Sequence, residues 1–334
     1  AIFQSDSDTE VILHLLARSK NLDLFKTLGE VLPQVKGAFS LLLLTRQGLF
    51  AIRDASGYRP LVIGHLNGSY VFASETCAFD LIGATYIREV WPGEIVRVQD
   101  NGLESISVLK GPRLSKCVFE LVYFSRPDSE VFGRSVAERR ELMGRILAKE
   151  SPVTADVVVP VPDSGIHAAE GFSDESGIRL RHALTRPHFG KRTFIEPKTT
   201  IRNFGVKLKH NPVKSILSGK RVVLIDDSIV RGTTSRKIVR TVRAAGAKEV
   251  HMRISCPPTM WPCFMGIDTP VRKDLIASKQ TIEEICKYIK ADSLAYLSLP
   301  GLLEAVGAKP NEFCLACYTG DYPLDVRHLL AGQI

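Results

Sequence analysis

Residues 222–235, Val-Val-Leu-Ile-Asp-Asp-Ser-Ile-Val-Arg-Gly-Thr-Thr-Ser, carry the densest chemistry in the chain. Two adjacent carboxylates, Asp226 and Asp227, end an apolar run, and a short loop of glycine and hydroxyl side chains follows them. An unbroken apolar run of this kind predicts a strand buried on both faces, as in a parallel sheet. Ligands of such sheets bind in the crevice beyond the carboxyl ends of the strands. Backbone N–H groups of Gly232, Thr233, Thr234 and Ser235 can cradle a phosphate, helped by the positive end of the helix expected next. The carboxylates would repel that phosphate, so they need another task, such as ribose hydroxyls or a metal. Acid pair and phosphate loop together point to a sugar phosphate. The plainer alternative is a strand–turn–helix with an acidic turn.

The elements that must hold this stretch change character along the chain. Up to about residue 110 the pattern is of strands and short turns with one early helix. Ser7-Asp8-Thr9-Glu10 has capping-box spacing before the apolar positions Val11, Ile12, Leu15 and Leu16. Residues 37–44 read as a buried strand and 49–53 as another, closed by Asp54-Ala55-Ser56-Gly57. Asn67-Gly68 and Asn101-Gly102 are hairpin signals. Such succession predicts a mainly antiparallel, layered domain. From about residue 115 the pattern predicts a helix over 136–149, a strand over 156–161 ending in Pro162-Asp163-Ser164-Gly165, the strand 222–225, a helix over 234–245 stopped by Gly246, and a strand over 249–254. That βαβ unit implies a parallel sheet with a right-handed crossover. The boundary is expected near Gly111-Pro112, giving domains 1–111 and 112–334.

With 334 residues there is room for two domains, and 45% hydrophobic with 24% charged residues is ordinary for a soluble globular protein. No apolar run approaches the roughly 20 residues that span a bilayer, and no signal peptide is visible, so a cytoplasmic protein without a membrane partner is expected. A net charge of +8 suits anionic ligands and also generic nucleic-acid affinity. No nucleic-acid-binding motif accompanies it, so phosphorylated small molecules are favoured and no nucleic-acid partner is expected. The seven cysteines are an odd number, which suggests a reducing compartment with some thiols as ligands or core fillers.

The stretch 222–235 resembles the PRPP-binding motif of type I phosphoribosyltransferases. Further matches fall in order along the chain: Phe3-Gln4-Ser5 with Ser7-Asp8-Thr9-Glu10, Arg53-Asp54 with Gly57 and Arg59-Pro60-Leu61, Phe72-Ala73-Ser74-Glu75, Cys117-Val118-Phe119-Glu120, Tyr123-Phe124-Ser125-Arg126-Pro127-Asp128-Ser129, Pro160 to Gly165, and Arg192-Thr193-Phe194-Ile195. Together they are similar to the glutamine phosphoribosylpyrophosphate amidotransferase family, over essentially the whole chain. The resemblance implies a partial N-terminal-nucleophile hydrolase domain, layered α/β, followed by a type I phosphoribosyltransferase domain: an α/β and α+β protein. It implies the first committed step of purine synthesis: glutamine-derived ammonia replaces pyrophosphate on PRPP, giving phosphoribosylamine. Such chemistry proceeds through an oxocarbenium-like state, so positioning and electrostatics should dominate.

Residue by residue, Ser164, Asp226 and Asp227 match the family's Mg²⁺-PRPP positions, and Ser228, Ile229, Val230, Arg231, Gly232, Thr233, Thr234 and Ser235 its phosphate loop. A hydroxyl and two carboxylates are hard oxygen donors suited to Mg²⁺; Ser164 alone could equally be a turn hydroxyl. Arg192 to Ile195 match a loop that closes over PRPP, with Lys191, Lys198, Arg202, Lys207 and Lys209 nearby; a solvated charged loop is the bland alternative. Cys314 and Cys317 form a Cys-x-x-Cys pair, a signal for metal or redox work. With Cys117 and Cys263 they match the ligands of a structural [4Fe–4S] cluster in one branch of the family. Tetrahedral zinc is the other metal four thiolates suit, and reduced core cysteines are the third reading. Cys77, Cys256 and Cys286 are expected to be buried or incidental.

One departure concerns the start. The family's glutaminase needs an N-terminal cysteine, whereas this sequence begins Ala1-Ile2-Phe3, inside that domain. Cys77 has no free α-amino group and cannot stand in. Asp8 matches the carboxylate that holds the glutamine α-ammonium, with a helix-capping role the alternative. A fragment that makes phosphoribosylamine from ammonia but not from glutamine is therefore expected, with open strand edges limiting its solubility. The resemblance further implies tetramers and feedback inhibition by purine nucleotides. Rival readings are a non-catalytic PRPP-binding regulator and a salvage phosphoribosyltransferase acting on a purine base.

Overall fold

The computed structural model describes residues 2–100, 102–107, 109–111, 113–186, 211–269, 271–309 and 311–331. In the N-terminal third, helices α1 (Glu10–Arg18) and α2 (Leu24–Val31) pack on an antiparallel sheet of β1 (Ser40–Thr45), β2 (Gly48–Arg53), β6 (Glu94–Gln99) and β7 (Gly102–Ser107). A second antiparallel sheet has β3 (Val62–Leu66) between β4 (Ser69–Ala73) and β5 (Thr85–Glu89), with α3 (Cys77–Ile82) inserted before β5. The period-2 alternation of β2 explains the layering. Phe50 and Ile52 join Ile12, Phe25, Leu28 and Leu32 under the helices, while Ala51 joins Leu61, Ile63, Val90 and Val96 between the sheets.

Two local expectations are corrected here. The capping box at Ser7 does not form. Thr9 is the N-cap and makes no side-chain cap bond. Glu10 reaches further back, accepting from the Gln4 amide at 2.7 Å and from the Ser5 amide and hydroxyl at 2.9 and 2.7 Å. The Ser5 hydroxyl and these amides pull the Glu10 carboxyl down to about 2. The strand expected over 37–44 starts at Ser40 and is not buried throughout: Leu42 and Leu44 are 51% and 80% exposed. β1 is the edge strand of its sheet, and among the described residues nothing covers that face.

The parallel sheet has the order β11 (Val157–Pro160), β14 (Arg221–Asp226), β15 (Glu249–Ile254), β16 (Ser293–Tyr296). Every residue of β14 after Arg221 is buried, which is what the unbroken apolar run requires of a central strand with helices on both faces. Those helices are α4 (Val136–Glu150), α5 (Ile166–Ser176), the short α6 (Lys214–Leu217), α7 (Thr233–Ala244), α8 (Ile282–Ile289) and α9 (Leu299–Val306). α7 buries Ser235, Ile238, Val239 and Val242, one helical stripe. Three small pairs complete the half: β8 (Lys116–Cys117) with β17 (Phe313–Cys314), β9 (Glu130–Val131) with β10 (Arg134–Ser135), and β12 (Leu184–Thr185) with β13 (Asn211–Pro212). A π-helix, Glu120–Phe124, follows β8, and two short helices, α10 (Ala316–Thr319) and α11 (Arg327–Ala331), follow β17. No helix among the described residues is long and apolar enough to cross a membrane.

Candidate functional site

β14 delivers Asp226 and Asp227 to the carboxyl edge of the parallel sheet, where both are almost fully buried, at 7% and 6% exposed. The Asp227 amide donates to Asp226 Oδ1 at 3.0 Å, and the Ser228 hydroxyl donates to Asp227. Ser164 comes from the turn after β11, and its hydroxyl helps hold the Asp227 carboxyl down. That turn lies hard against β14: a Cβ on Gly165 would stand 2.4 Å from the Ile225 carbonyl oxygen, so only glycine lets Ser164 come this close. Burial first, then the charge of its neighbour, drives the Asp226 carboxyl well above its ordinary range. Burial also raises Asp227, against the pull of the Ser164 and Ser228 hydroxyls. Two buried acids this close cannot both ionise cheaply without a cation between them and the solvent.

The loop after the acids is shaped to receive an anion. Gly232 has φ +72°, and a Cβ there would meet Ile276 Cδ1 at 2.9 Å. The chain thus turns left-handed at Gly232 into the first turn of α7. Among the described residues, no backbone amide from Ser228 to Ser235 donates to another protein group. Unpaired amides at a helix start, with their partial positive charge, are an anion cradle. Ile229 is buried in the core and Val230 accepts the Ile276 amide at 2.9 Å, which pins the loop from below. Arg231, Thr233 and Thr234 are exposed.

One cavity of about 500 Å³ takes in Ser164, Asp226 and the whole of 227–235. Its other walls include Tyr123 and Phe124 of the π-helix, Arg186, Thr259 and Asp268. Thr259 is buried, and among the described residues its hydroxyl has no hydrogen-bond partner, a group suited to a ligand. Arg186 pairs with Asp163 at 2.6 Å. Arg192, with Lys191, Lys198, Arg202, Lys207 and Lys209, lies outside the described residues. Asp8 sits on the exposed turn before α1, where its carboxylate accepts from the Thr9 hydroxyl at 3.3 Å and does not cap the helix.

The four singled-out cysteines line the same cavity. Cys117 and Cys314 face each other across the parallel β8–β17 pair. Cys317 follows on α10, and Cys263 comes from the loop after β15, its sulfur accepting the Met265 amide at 3.2 Å. Burial, reinforced by the neighbouring acid and thiols, raises the Cys117 and Cys317 thiols, and burial lifts Cys314 to about 11. The Arg59 and Arg113 charges offset this only partly at Cys117 and Cys314, so a bound cation would supply further counter-charge. All seven cysteines are free. Cys77 and Cys256 are buried, and the half-buried Cys286 donates to the Ala291 carbonyl.

Comparison with known proteins bears on both halves. The description "Glutamine amidotransferase domain" matches residues 1–80, and "Phosphoribosyl transferase domain" matches residues 133–258. The chain is 47% identical to an amidophosphoribosyltransferase of Bacillus subtilis, covering 98% of this chain and 69% of that protein. The chain belongs to the amidophosphoribosyltransferase family. The chloroplastic amidophosphoribosyltransferase 2 of Arabidopsis thaliana is 52% identical over 97% of this chain, which spans 58% of that relative's length. A solved structure of glutamine PRPP amidotransferase from B. subtilis, complexed with ADP and GMP, superimposes with a TM-score of 0.92 at 47% identity, covering 98% of this chain and 72% of that one. A second, described as the allosteric regulatory enzyme of purine biosynthesis, gives 0.92 at 45% identity, covering 100% and 74%. The fold class expected from the sequence is therefore that of the family: an amidotransferase part followed by a type I phosphoribosyltransferase part.

Sequence reasoning missed Thr259, the Arg186–Asp163 pair and the buried Arg140 behind the π-helix. The matches at 123–129 and 160–165 drew attention near two of them; single hydroxyls and arginines carry no pattern of their own.

Proposed function

We propose that this family member forms 5-phosphoribosylamine and pyrophosphate from PRPP and ammonia, in de novo purine biosynthesis. The observation that carries the reading is the pairing, in one cavity, of an unpartnered amide cradle with a buried acid pair at the carboxyl end of β14. The cradle at 228–235 holds the 5-phosphate, and Asp226 and Asp227 face the ribose and the bound cation. Ser164, Asp226 and Asp227 supply hard oxygens that fit Mg²⁺, which would stabilise the charge of the departing pyrophosphate. Thr259 offers one further polar contact, and Arg192 is proposed to close over the substrate. Pyrophosphate release with Mg²⁺-PRPP and ammonium salts tests the reading; hypoxanthine or adenine turnover, or PRPP binding without release, would replace it with a salvage enzyme or a non-catalytic regulator.

Glutamine is the proposed nitrogen source of the whole protein, because the N-terminal part matches an amidotransferase domain, with Asp8 proposed for the glutamine α-ammonium. Assay with both donors separates the two activities. The domain division proposed is 1–111 and 112–334. Purine nucleotides are proposed as feedback inhibitors, since the B. subtilis relative was solved with ADP and GMP bound. A homo-oligomer and a cytoplasmic or comparable reducing compartment complete the proposal, the latter resting on the free thiols.

For Cys117, Cys263, Cys314 and Cys317 we propose a [4Fe–4S] cluster rather than zinc. Four thiolates around one zinc at about 2.3 Å would set the sulfurs roughly 3.8 Å apart. Among the described residues, the group of three or more metal-ligating atoms within 4.8 Å of one another is Glu141, His167 and Glu170, not the cysteines. Sulfurs spread more widely suit a multi-iron cage. A brown colour with broad visible absorption supports the cluster; colourless protein with stoichiometric zinc overturns it.

A further inference from the structure

The π-helix Glu120–Phe124 belongs to the parallel half, yet side chains of the antiparallel half hold both the helix and the turn that follows it. Arg59 spans the helix: its Nε stands 2.8 Å from Glu120 Oε1 at the first residue, and the same guanidinium lies 5.1 Å from the ring centre of Phe124, the last. The geometry is that of an ion pair without a hydrogen bond, since among the described residues Glu120 Oε1 and Arg59 Nη1 have no hydrogen-bond partner. Beyond the helix, Glu75 Oε2 accepts from the Arg126 amide and the Ser129 hydroxyl, both at 2.8 Å. The adjacent Thr76 hydroxyl accepts the Glu130 amide at 2.8 Å. The turn between these grips is widened, with the Ser125 amide donating to the Glu120 carbonyl at 3.1 Å. Single π turns recur where a function requires a distorted helix.

Behind the π-helix stands Arg140 of α4, buried at 4% exposure. Its Nε donates to the Leu121 carbonyl at 3.0 Å and its Nη2 to the Ser125 carbonyl at 2.7 Å. Burial lowers this guanidinium from its ordinary value, and the acids opposing that are Asp227, Glu75 and Glu120, with Asp227 foremost. The front of the π-helix presents Tyr123 and Phe124 to the cavity that holds Asp226, Asp227 and the phosphate cradle. A single arginine thus bonds the back of the π-helix whose front lines the acid pair's cavity.

We propose that Arg59 and Glu75 are positioning residues for the PRPP site, setting from the opposite half of the chain the π-helix that lines its cavity, with Arg140 bracing that helix from behind. The inference rests on the PRPP reading given above. The antiparallel half thereby tunes how well the phosphoribosyl site holds its substrate. The test uses the full chain with Mg²⁺ and ammonium as nitrogen donor, comparing wild type with Glu75→Gln, Arg59→Met and Arg59→Lys. Steady-state kinetics and amide hydrogen exchange over 121–126 are measured together. Loss of either grip is expected to raise the KM for PRPP about tenfold with kcat within about twofold, and to speed exchange at 121–126. Arg59→Lys, which keeps the charge facing Glu120, is expected to recover part of the loss. Kinetics and exchange unchanged from wild type, or a lowered melting temperature with KM and kcat both intact, overturn the positioning role. If Glu75→Gln fails to fold, Ser129→Ala removes one of the same hydrogen bonds and is read identically. Wild type that releases no pyrophosphate from PRPP defeats the parent reading and this one with it, whereas active wild type with indifferent variants defeats only this one.

Discussion

Asp226 and Asp227 are held in a state that costs stability. Both are buried, they repel one another, and among the described residues their hydrogen-bond donors are hydroxyls and one amide. Replacing Asp226 with Asn removes the charge and keeps the shape. In metal-free protein Asp226→Asn should therefore raise the melting temperature by a few degrees, on the order of 1 kcal/mol, while Mg²⁺-PRPP turnover falls by at least about a hundredfold. Calorimetry and pyrophosphate release check the two halves of this outcome, and a variant that melts earlier would show the pair to be stabilising. Gly165 makes a sharper steric case. A Cβ 2.4 Å from the Ile225 carbonyl oxygen has backbone on both sides and no flexible neighbour to yield. Gly165→Ala should cost about 2–4 kcal/mol in urea unfolding and move Ser164 off Asp227. The acid pair itself was legible in the sequence because its members are neighbours in the chain. The approach of Ser164 was suggested by resemblance alone, since turn hydroxyls occur in most proteins and the contact depends on how β11 packs on β14.

Elements with one strong local signal were read well. The apolar run of β14 and the Ile238–Val239–Val242 stripe of α7 fall close to their expected limits, because burial on both faces or on one stripe dictates residue type directly. α1 shows where this stops. Its spacing named a capping box, yet Glu10 takes the amides of Gln4 and Ser5, because spacing does not say which upstream amide folds back within reach. Pairing between elements was equally hidden. Glu94 at the start of β6 accepts from both terminal nitrogens of Arg88 on β5 at 2.8 Å, tying the two antiparallel sheets together. Burial raises the Glu94 carboxyl, but the Arg88 contacts and the Trp91 amide outweigh it and leave it below its usual value. Its contribution is thus fully present above the unfolded-state value of about 4.3 and is lost as pH falls through the lower folded value. Glu94→Gln should be less stable than wild type at pH 7, with the gap narrowing as pH drops below about 4; a gap independent of pH between 3 and 7, read from urea midpoints, would rule this linkage out.

At the scale of the molecule, the two halves share buried polar contacts. Arg53 is fully buried in the antiparallel half, donating to the carbonyls of Arg59, Val90 and Gly57 and to Glu89, and its guanidinium lies 5.6 Å from the ring of Phe132 in the parallel half. The Cys117 amide donates to the Tyr58 carbonyl at 2.9 Å, so the strand carrying one proposed cluster ligand is bonded across the same junction. Arg53→Met would leave these carbonyls and Glu89 without their donor, at a cost of about 3–5 kcal/mol. We expect it to loosen both halves in one transition, seen as earlier proteolysis at 108–115 together with weaker PRPP binding; two independent transitions in wild type would contradict that coupling. By itself, the sequence determined the glycine–hydroxyl loop, the acid pair and the βαβ unit around them, because each is written in consecutive residues whose burial fixes their type. Only the tertiary structure decided that four thiols from β8, β17, α10 and a distant loop share the acid pair's cavity, and that a π-helix beside it is held from the other half. Those approaches arise from packing between segments far apart in the chain, where the energy lies in burial and close contact that no local pattern of residues records.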